Sequence, residues 1–427
     1  MSLKPCAALT LAAFLVPGFA SAQSAQYTAP GAGAPAATKT KAEIEAQMAD
    51  ARWRLGPVRL APYLGISGLS WVQNVFAGDG EETSDLTGTL GAGLTAYLPT
   101  GSNVFWVAQA RPEYIYWADL AERRQAGGRY GVGLYADFNR LDLVAEGYRM
   151  EVQTQVTAEE PEPAIGEVDH LGAGASLRLT SRISLTAGAG IEEIANRAGD
   201  PDDPRSPAFA LLDRREETAR AGLRFEMSEK IHLEAGAERH ETRFETEGRD
   251  LSSTGTSPYL RLTLTGNRLQ LAGEVTRRSL DPEPGSALVP TEGTEGTLRL
   301  GLTPGWRFAI GLYASRSLLY SLAGDYSHFD AESYGVEVSA PFAGRWTMRL
   351  FAETGENDYT PLAPEVPVRT DDSFAYGASG SLEIREWLTY EFGYRRLELD
   401  SNQPGFDRQT SSVLSTLSLT TGSWIWQ

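Results

Sequence analysis

Four histidines, His170, His232, His240 and His328, are the only imidazoles in the chain. His328 stands in an acidic run with Asp325 and Asp330, a grouping that could orient a ring for general-base hydrolysis. Nothing in its spacing separates that triplet from an ordinary acidic loop, and the protein is read as a non-enzyme. Asp79, Glu81, Glu82 and Asp85 cluster as carboxylates, yet they lack the glycine and terminal glutamate of a calcium loop. The single cysteine, Cys6, leaves the rest of the chain without a disulfide or a thiolate metal site. No metal or organic cofactor is expected. A net charge of −18 argues against nucleic acid as a partner.

The remaining reactive groups are arginines and carboxylates, and their placement follows a two-residue rhythm. Leu86, Leu90, Ala92, Leu94, Ala96 and Leu98 alternate with Thr87, Thr89, Gly91, Gly93, Thr95 and Tyr97. The beat returns at Leu260, Leu262 and Leu264, and at Trp346, Met348, Leu350 and Ala352. Successive side chains of a strand point to opposite faces, so strict alternation marks a strand with two unlike faces. One face is almost free of charge. The other carries Arg111, Glu113, Arg178, Arg220, Arg224, Glu234, Glu238, Arg261, Arg299, Arg349, Glu353 and Arg395. Charges in a dry centre would be costly unless solvated or paired, so an apolar-out, wet-inside closed sheet fits better than a soluble sandwich or solenoid. These twelve residues are the candidate pore lining, as a solvated ladder that sets an internal field or as cross-strand braces of the wall.

The expected fold is all-β: a transmembrane up-and-down antiparallel barrel of eighteen strands, with sixteen as the alternative count. Eight short connections, from 99–103 to 386–387, alternate with nine long ones, from 77–84 to 401–411. Short turns at one end and long loops at the other are the outer-membrane arrangement. The long loops carry a summed charge of −16, nearly all of the net charge. Such a rim would favour cations at the mouth. Trp106, Tyr114, Tyr116, Trp117, Trp306, Trp346, Trp387, Trp424 and Trp426 lie near strand ends, where interfacial girdles would place them.

Ahead of the barrel, residues 1–22 read as a secretory signal: Lys4, an apolar core from Ala7 to Val16, and a small-residue site at Ala20-Ser21-Ala22. Residues 23–56 form a flexible leader with a short helix over 39–54, whose apolar stripe is only Ile44, Met48 and Leu55. That helix reads as a frayed periplasmic segment, with a plug in the lumen or a coil pairing with a partner as the other readings. Residues 57–427 are assigned to the barrel. The chain finishes on Trp424, Ile425, Trp426 and Gln427, so the aromatic that barrel-assembly machinery recognises is penultimate.

The segment 60–76, ending in Asn74-Val75-Phe76, followed by the glycine-rich strand 85–94, resembles the opening of the β-barrel porin 2 family. The resemblance implies a bacterial outer-membrane barrel, sometimes linked with exopolysaccharide export, and brings no catalytic residues with it. The expected function is a porin-like channel for passive or weakly selective passage of small polar solutes across a Gram-negative outer membrane. The alternative is a barrel serving a polysaccharide export or surface-assembly system. Expected partners are outer-membrane lipid, the assembly machinery, and further copies of the chain or export proteins.

Overall fold

The computed structural model describes residues 41–51, 53–73, 84–154, 159, 164–197, 206–246, 249–305, 308–342, 344–385 and 388–420. The expected signal and leader up to residue 40 lie outside these residues. So do Asn74 to Phe76, Asp79, Glu81, Glu82, Trp306, Trp387 and the C-terminal 421–427.

A helix, α1 (Lys41–Asp50), and a three-residue strand, β1 (Trp53–Leu55), precede the long strands. These are β2 (Val58–Gln73), β3 (Asp85–Thr100), β4 (Val104–Trp117), β5 (Gln125–Asp137), β6 (Leu141–Thr154) and β7 (Ala164–Arg178). Next come β8 (Ile183–Arg197), β9 (Arg214–Ser228), β10 (Ile231–Phe244), β11 (Ser253–Thr265), β12 (Leu269–Pro282) and β13 (Thr291–Leu302). The last six are β14 (Ala309–Tyr320), β15 (Tyr326–Phe342), β16 (Trp346–Pro361), β17 (Thr370–Arg385), β18 (Leu388–Ser401) and β19 (Arg408–Thr420). A short helix, α2 (Ser206–Ala210), lies in the connection from β8 to β9.

Every long strand pairs antiparallel with the strand before it and the strand after it. The series returns to its start, because β19 pairs with β2 from Ser411 opposite Gln73 to Thr420 opposite Tyr63. Leaving aside β1, which pairs only with the beginning of β2, the ring contains eighteen strands, as the alternation indicated. Strands about 4.8 Å apart and tilted about 40° give such a ring a backbone diameter of about 36 Å.

The two faces separate as the sequence pattern required. Leu90, Leu94, Val132, Leu171, Leu185, Leu223, Leu260, Leu298 and Leu350 are exposed on the outside. Outward aromatics form a band at each end. Trp71, Tyr114, Tyr116, Phe374 and Tyr376 lie towards the long loops, and Trp106, Phe138, Phe225, Phe308 and Phe342 towards the short turns. Trp117 is not in either band. It is fully buried against Ile115 and Leu120, on the inward parity shared by Arg111 and Glu113.

Two other expectations change. The helix is shorter than 39–54, and its last residues become β1, which turns into β2 through Gly56 at a φ of 60°. Several strands run further towards the long loops than the apolar rhythm: β15 begins at Tyr326, β16 continues to Pro361 and β12 to Pro282. The backbone ladder persists there after the outer face has ceased to meet hydrocarbon, so the apolar-out rhythm breaks, while Tyr326, Phe329, Ala331 and Tyr359 form a buried apolar cluster.

Candidate functional site: the charged lumen

Short inward side chains, many of them glycine, keep the β7–β9 wall open, and longer charged ones project from the strands around it. Together they enclose a cavity of about 930 Å³. Seven of the twelve candidates line it: Arg178, Arg220, Arg224, Glu234, Glu238, Arg261 and Arg299. Asp137, Asp142, Glu146, His170 and Glu274 join them.

Most of these charges are paired across strands. Arg224 reaches Glu234 at 2.9 Å, and Arg261 meets Glu274, its register partner. Arg278 bridges Glu238 at 3.3 Å and Glu295 at 4.0 Å. Glu234 is the hub: the Tyr259 hydroxyl donates to it at 3.0 Å and the Thr186 hydroxyl at 3.2 Å. Tyr259 reaches it by lying over Gly222 and Gly236, where any Cβ would collide with the ring. His170 stacks on Tyr148 at 4.6 Å and sets Nδ1 3.5 Å from Glu192.

The other five candidates lie elsewhere on the wall. Arg111 sits over the Tyr63 ring at 3.8 Å and 3.7 Å from Glu113. Arg349 pairs with Glu337 at 3.3 Å. Glu353 accepts from Tyr313 and has Arg395 beside it. The twelve, eight arginines and four glutamates, are therefore spread around the wall rather than gathered in one site.

Of the carboxylate and histidine groupings weighed first, the described members Asp85 and His328 hold connections in place. Asp85, fully buried, accepts from the backbone N–H groups of Leu86, Asp119 and Leu120 and so holds the 118–124 connection. His328 is 2 % exposed, and its two ring nitrogens contact the hydroxyls of Ser327 and Thr291. Neither Asp325 nor Asp330 is its hydrogen-bond partner among the described residues.

The lumen is narrowed at both ends. At the short-turn end α1 lies inside the barrel, not below it. Ile44 is fully buried in a cluster with Ala51, Ala61, Tyr97, Phe105, Val107 and Tyr135, and Met48, Val144, Tyr148 and Met150 pack around it. Tyr97, Phe105, Val107 and Tyr135 share the inward parity of their strands, so the seat is the inner wall. Of the three readings of this helix, the lumen placement is the one observed.

At the long-loop end Glu159 is the centre of a buried polar cluster. Its loop leaves the ring between β6 and β7. Strands β7 to β14, eight in number, separate it from the β14–β15 connection, and eight in the other direction separate it from the β16–β17 connection. Glu159 nevertheless accepts from the Ser321 hydroxyl at 2.6 Å and from the Leu322 N–H, and its backbone carbonyl accepts from Arg408. Arg369 lies 3.8 Å from its carboxylate, donates twice to Asp371 at 2.9 and 2.6 Å, and stacks between Tyr359 and Phe406. Glu159 thus contacts connections on the far side of the ring. Burial pushes the Glu159 carboxyl above the usual carboxylate range, opposed by the donors that hold it. Sequence reading missed this cluster, because Glu159 looks like any acid in an acidic loop.

No family model and no curated protein matches the chain. Solved structures do. OccK2 (OpdF) of Pseudomonas aeruginosa aligns with a TM-score of 0.53 at 11% identity, covering 84% of this chain and 98% of that one. A BenF-like porin from Pseudomonas fluorescens Pf-5 gives 0.52 at 11%, covering 86% and 99%. OccAB4 of Acinetobacter baumannii gives 0.51 at 10%, covering 84% and 97%. The fold is that of the outer-membrane porins. A closed ring with an apolar belt between two aromatic bands belongs in an outer membrane. The outer-membrane barrel fold that the resemblance implied therefore stands, while no family model matches the chain.

Proposed function

We propose that the protein is a channel for passive or weakly selective passage of small polar solutes. The observation that carries this reading is the 930 Å³ cavity lined by paired arginines and carboxylates inside a closed ring. Neighbours of the same architecture and nearly the same length include a porin by name. Charged linings keep water in the lumen and make passage of hydrated solutes less costly than crossing hydrocarbon. The acidic loops add a cation preference at the mouth. Liposome swelling with sugars of increasing size tests openness and size limit together. Swelling with small sugars is expected, and a folded, inserted protein that admits none would overturn the reading.

The alternative, a barrel that serves polysaccharide export or surface assembly through protein partners, draws support from one observation: α1 occupies the short-turn end of the lumen. Homo-oligomers, assembly machinery and lipid remain the proposed partners.

A further inference from the structure

We propose that α1 is a removable plug, seated reversibly in the inner wall, and that leaving its seat sets the conductance of the channel. The inference rests on the channel reading above and goes beyond it by assigning the gate.

The attachment of α1 is slight in kind. The helix forms no part of the sheet, and each of the eighteen wall strands has its two neighbours without it. Its described hold on the barrel is the apolar cluster around Ile44, in which Ala51 just beyond the helix is also buried, and two polar contacts. Ile44 is fully buried among Tyr97, Phe105, Val107 and Tyr135, with Met48 one turn further on in the same cluster. The Arg59 guanidinium donates to the Met48 carbonyl at 3.3 Å, and the Tyr97 hydroxyl donates to Gln47 at 3.4 Å. The opposite side of the helix, with Glu45, Ala46, Ala49 and Asp50, is exposed. A ten-residue helix has little stability of its own, so its persistence depends on this seat.

The tether permits movement. α1 joins β2 through β1, whose three residues are all exposed, and through a turn at Gly56, whose φ of 60° suits a glycine. The seat also borders the solute path. Phe105, Tyr135 and Val144, which pack with α1, line the same cavity as Arg178 and Arg220. A helix about 10 Å across removes a substantial part of the open section at that level. Because the seat belongs to a wall that is complete without the helix, departure of α1 opens the passage without breaking the ring.

The test uses the full chain in planar bilayers. Ile44→Asp places a charge in the apolar seat. A second protein carries Gln47→Cys and Tyr97→Cys in a Cys6→Ala background, joined by a short bis-thiosulfonate linker that dithiothreitol removes. Heat-modifiable migration on gels checks that each barrel is folded. The linked protein is expected to hold one low conductance level, and Ile44→Asp a distinctly higher one. Dithiothreitol is expected to restore excursions to the higher level in the linked protein. If the linked, reduced and Ile44→Asp proteins conduct identically, the plug is overturned and the channel reading stands. If folded barrels pass no current in any form, the channel reading fails and the plug with it.

Discussion

At the scale of single residues, the inner wall works through carboxylates held by several donors at once. Glu234 is almost fully buried and is met by Arg224, Tyr259 and Thr186. Glu234→Ala leaves the Arg224 guanidinium facing the cavity without its partner. The expected result is a shift of the reversal potential in a salt gradient towards anions, with a stability loss of about 1–3 kcal/mol in urea titrations. Gly335 tests a different kind of fit. It lies directly opposite Tyr313, and a Cβ there would fall 2.0 Å from the ring carbon bearing the hydroxyl. Gly335→Val forces that ring off the wall and away from Glu353. A loss of about 1–3 kcal/mol is expected, read as a lower urea midpoint. The inward charges were legible because alternation assigns a face to every residue in a strand. The same parity rule places Trp117 inside with Arg111 and Glu113, so its burial was available to sequence reading, although proximity to a strand end suggested a girdle.

At the scale of elements, strands could be read and their attachments could not. Period-two patterning requires only that two faces meet different solvents, which holds for each strand through the hydrocarbon. It fails beyond the membrane, where Glu356, Asp358 and Thr360 take the formerly apolar face while Tyr359 is buried on the other, yet both extend β16. It is also silent on β1, whose three residues are too short for a period, and on the seat of α1. Ile44 and Met48 show that the helix has an apolar side, but the surface covering that side comes from strands β2 to β6. The Glu159 cluster is the clearest case of a long-range contact invisible to local pattern, since its partners lie 162 and 249 residues away. Arg369→Ala removes the cation between Asp371 and Glu159, both buried, and is expected to loosen this cluster by about 3–5 kcal/mol. Faster hydrogen exchange at the Leu322 amide, with the barrel core still protected, would be the readout. The cluster also has a pH dependence with a defined sign. Because the folded carboxyl of Glu159 titrates above its ordinary value of 4.5, folding favours its protonated form. Its contribution is fully present below 4.5 and is lost as pH rises through the raised value. Protection of the Leu322 amide against hydrogen exchange, corrected for intrinsic rate, is therefore expected to increase on acidification from neutral towards pH 4.5. Glu159→Gln should flatten that dependence.

At the scale of the whole molecule, the proposed passage depends on the charge distribution and the closed ring together. The net charge of −18 is concentrated in the loops at one end, while the lumen carries both signs in paired rows. Cation preference should therefore be a property of the mouth. It should weaken with rising ionic strength, because loop charges are screened within about 10 Å at 0.1 M salt. Clear anion preference at low salt would contradict the rim assignment. The architecture beneath these effects is the arrangement of Leu90 towards lipid and Arg261 towards water. Labelling of single cysteines by a cationic thiosulfonate during single-channel recording tests it most directly. In a Cys6→Ala background, Arg261→Cys is expected to react from the aqueous phase with a stepwise change in current, and Leu90→Cys to leave the current unchanged. Reaction at Leu90→Cys that alters the current, with Arg261→Cys inert, would contradict the closed, water-filled barrel.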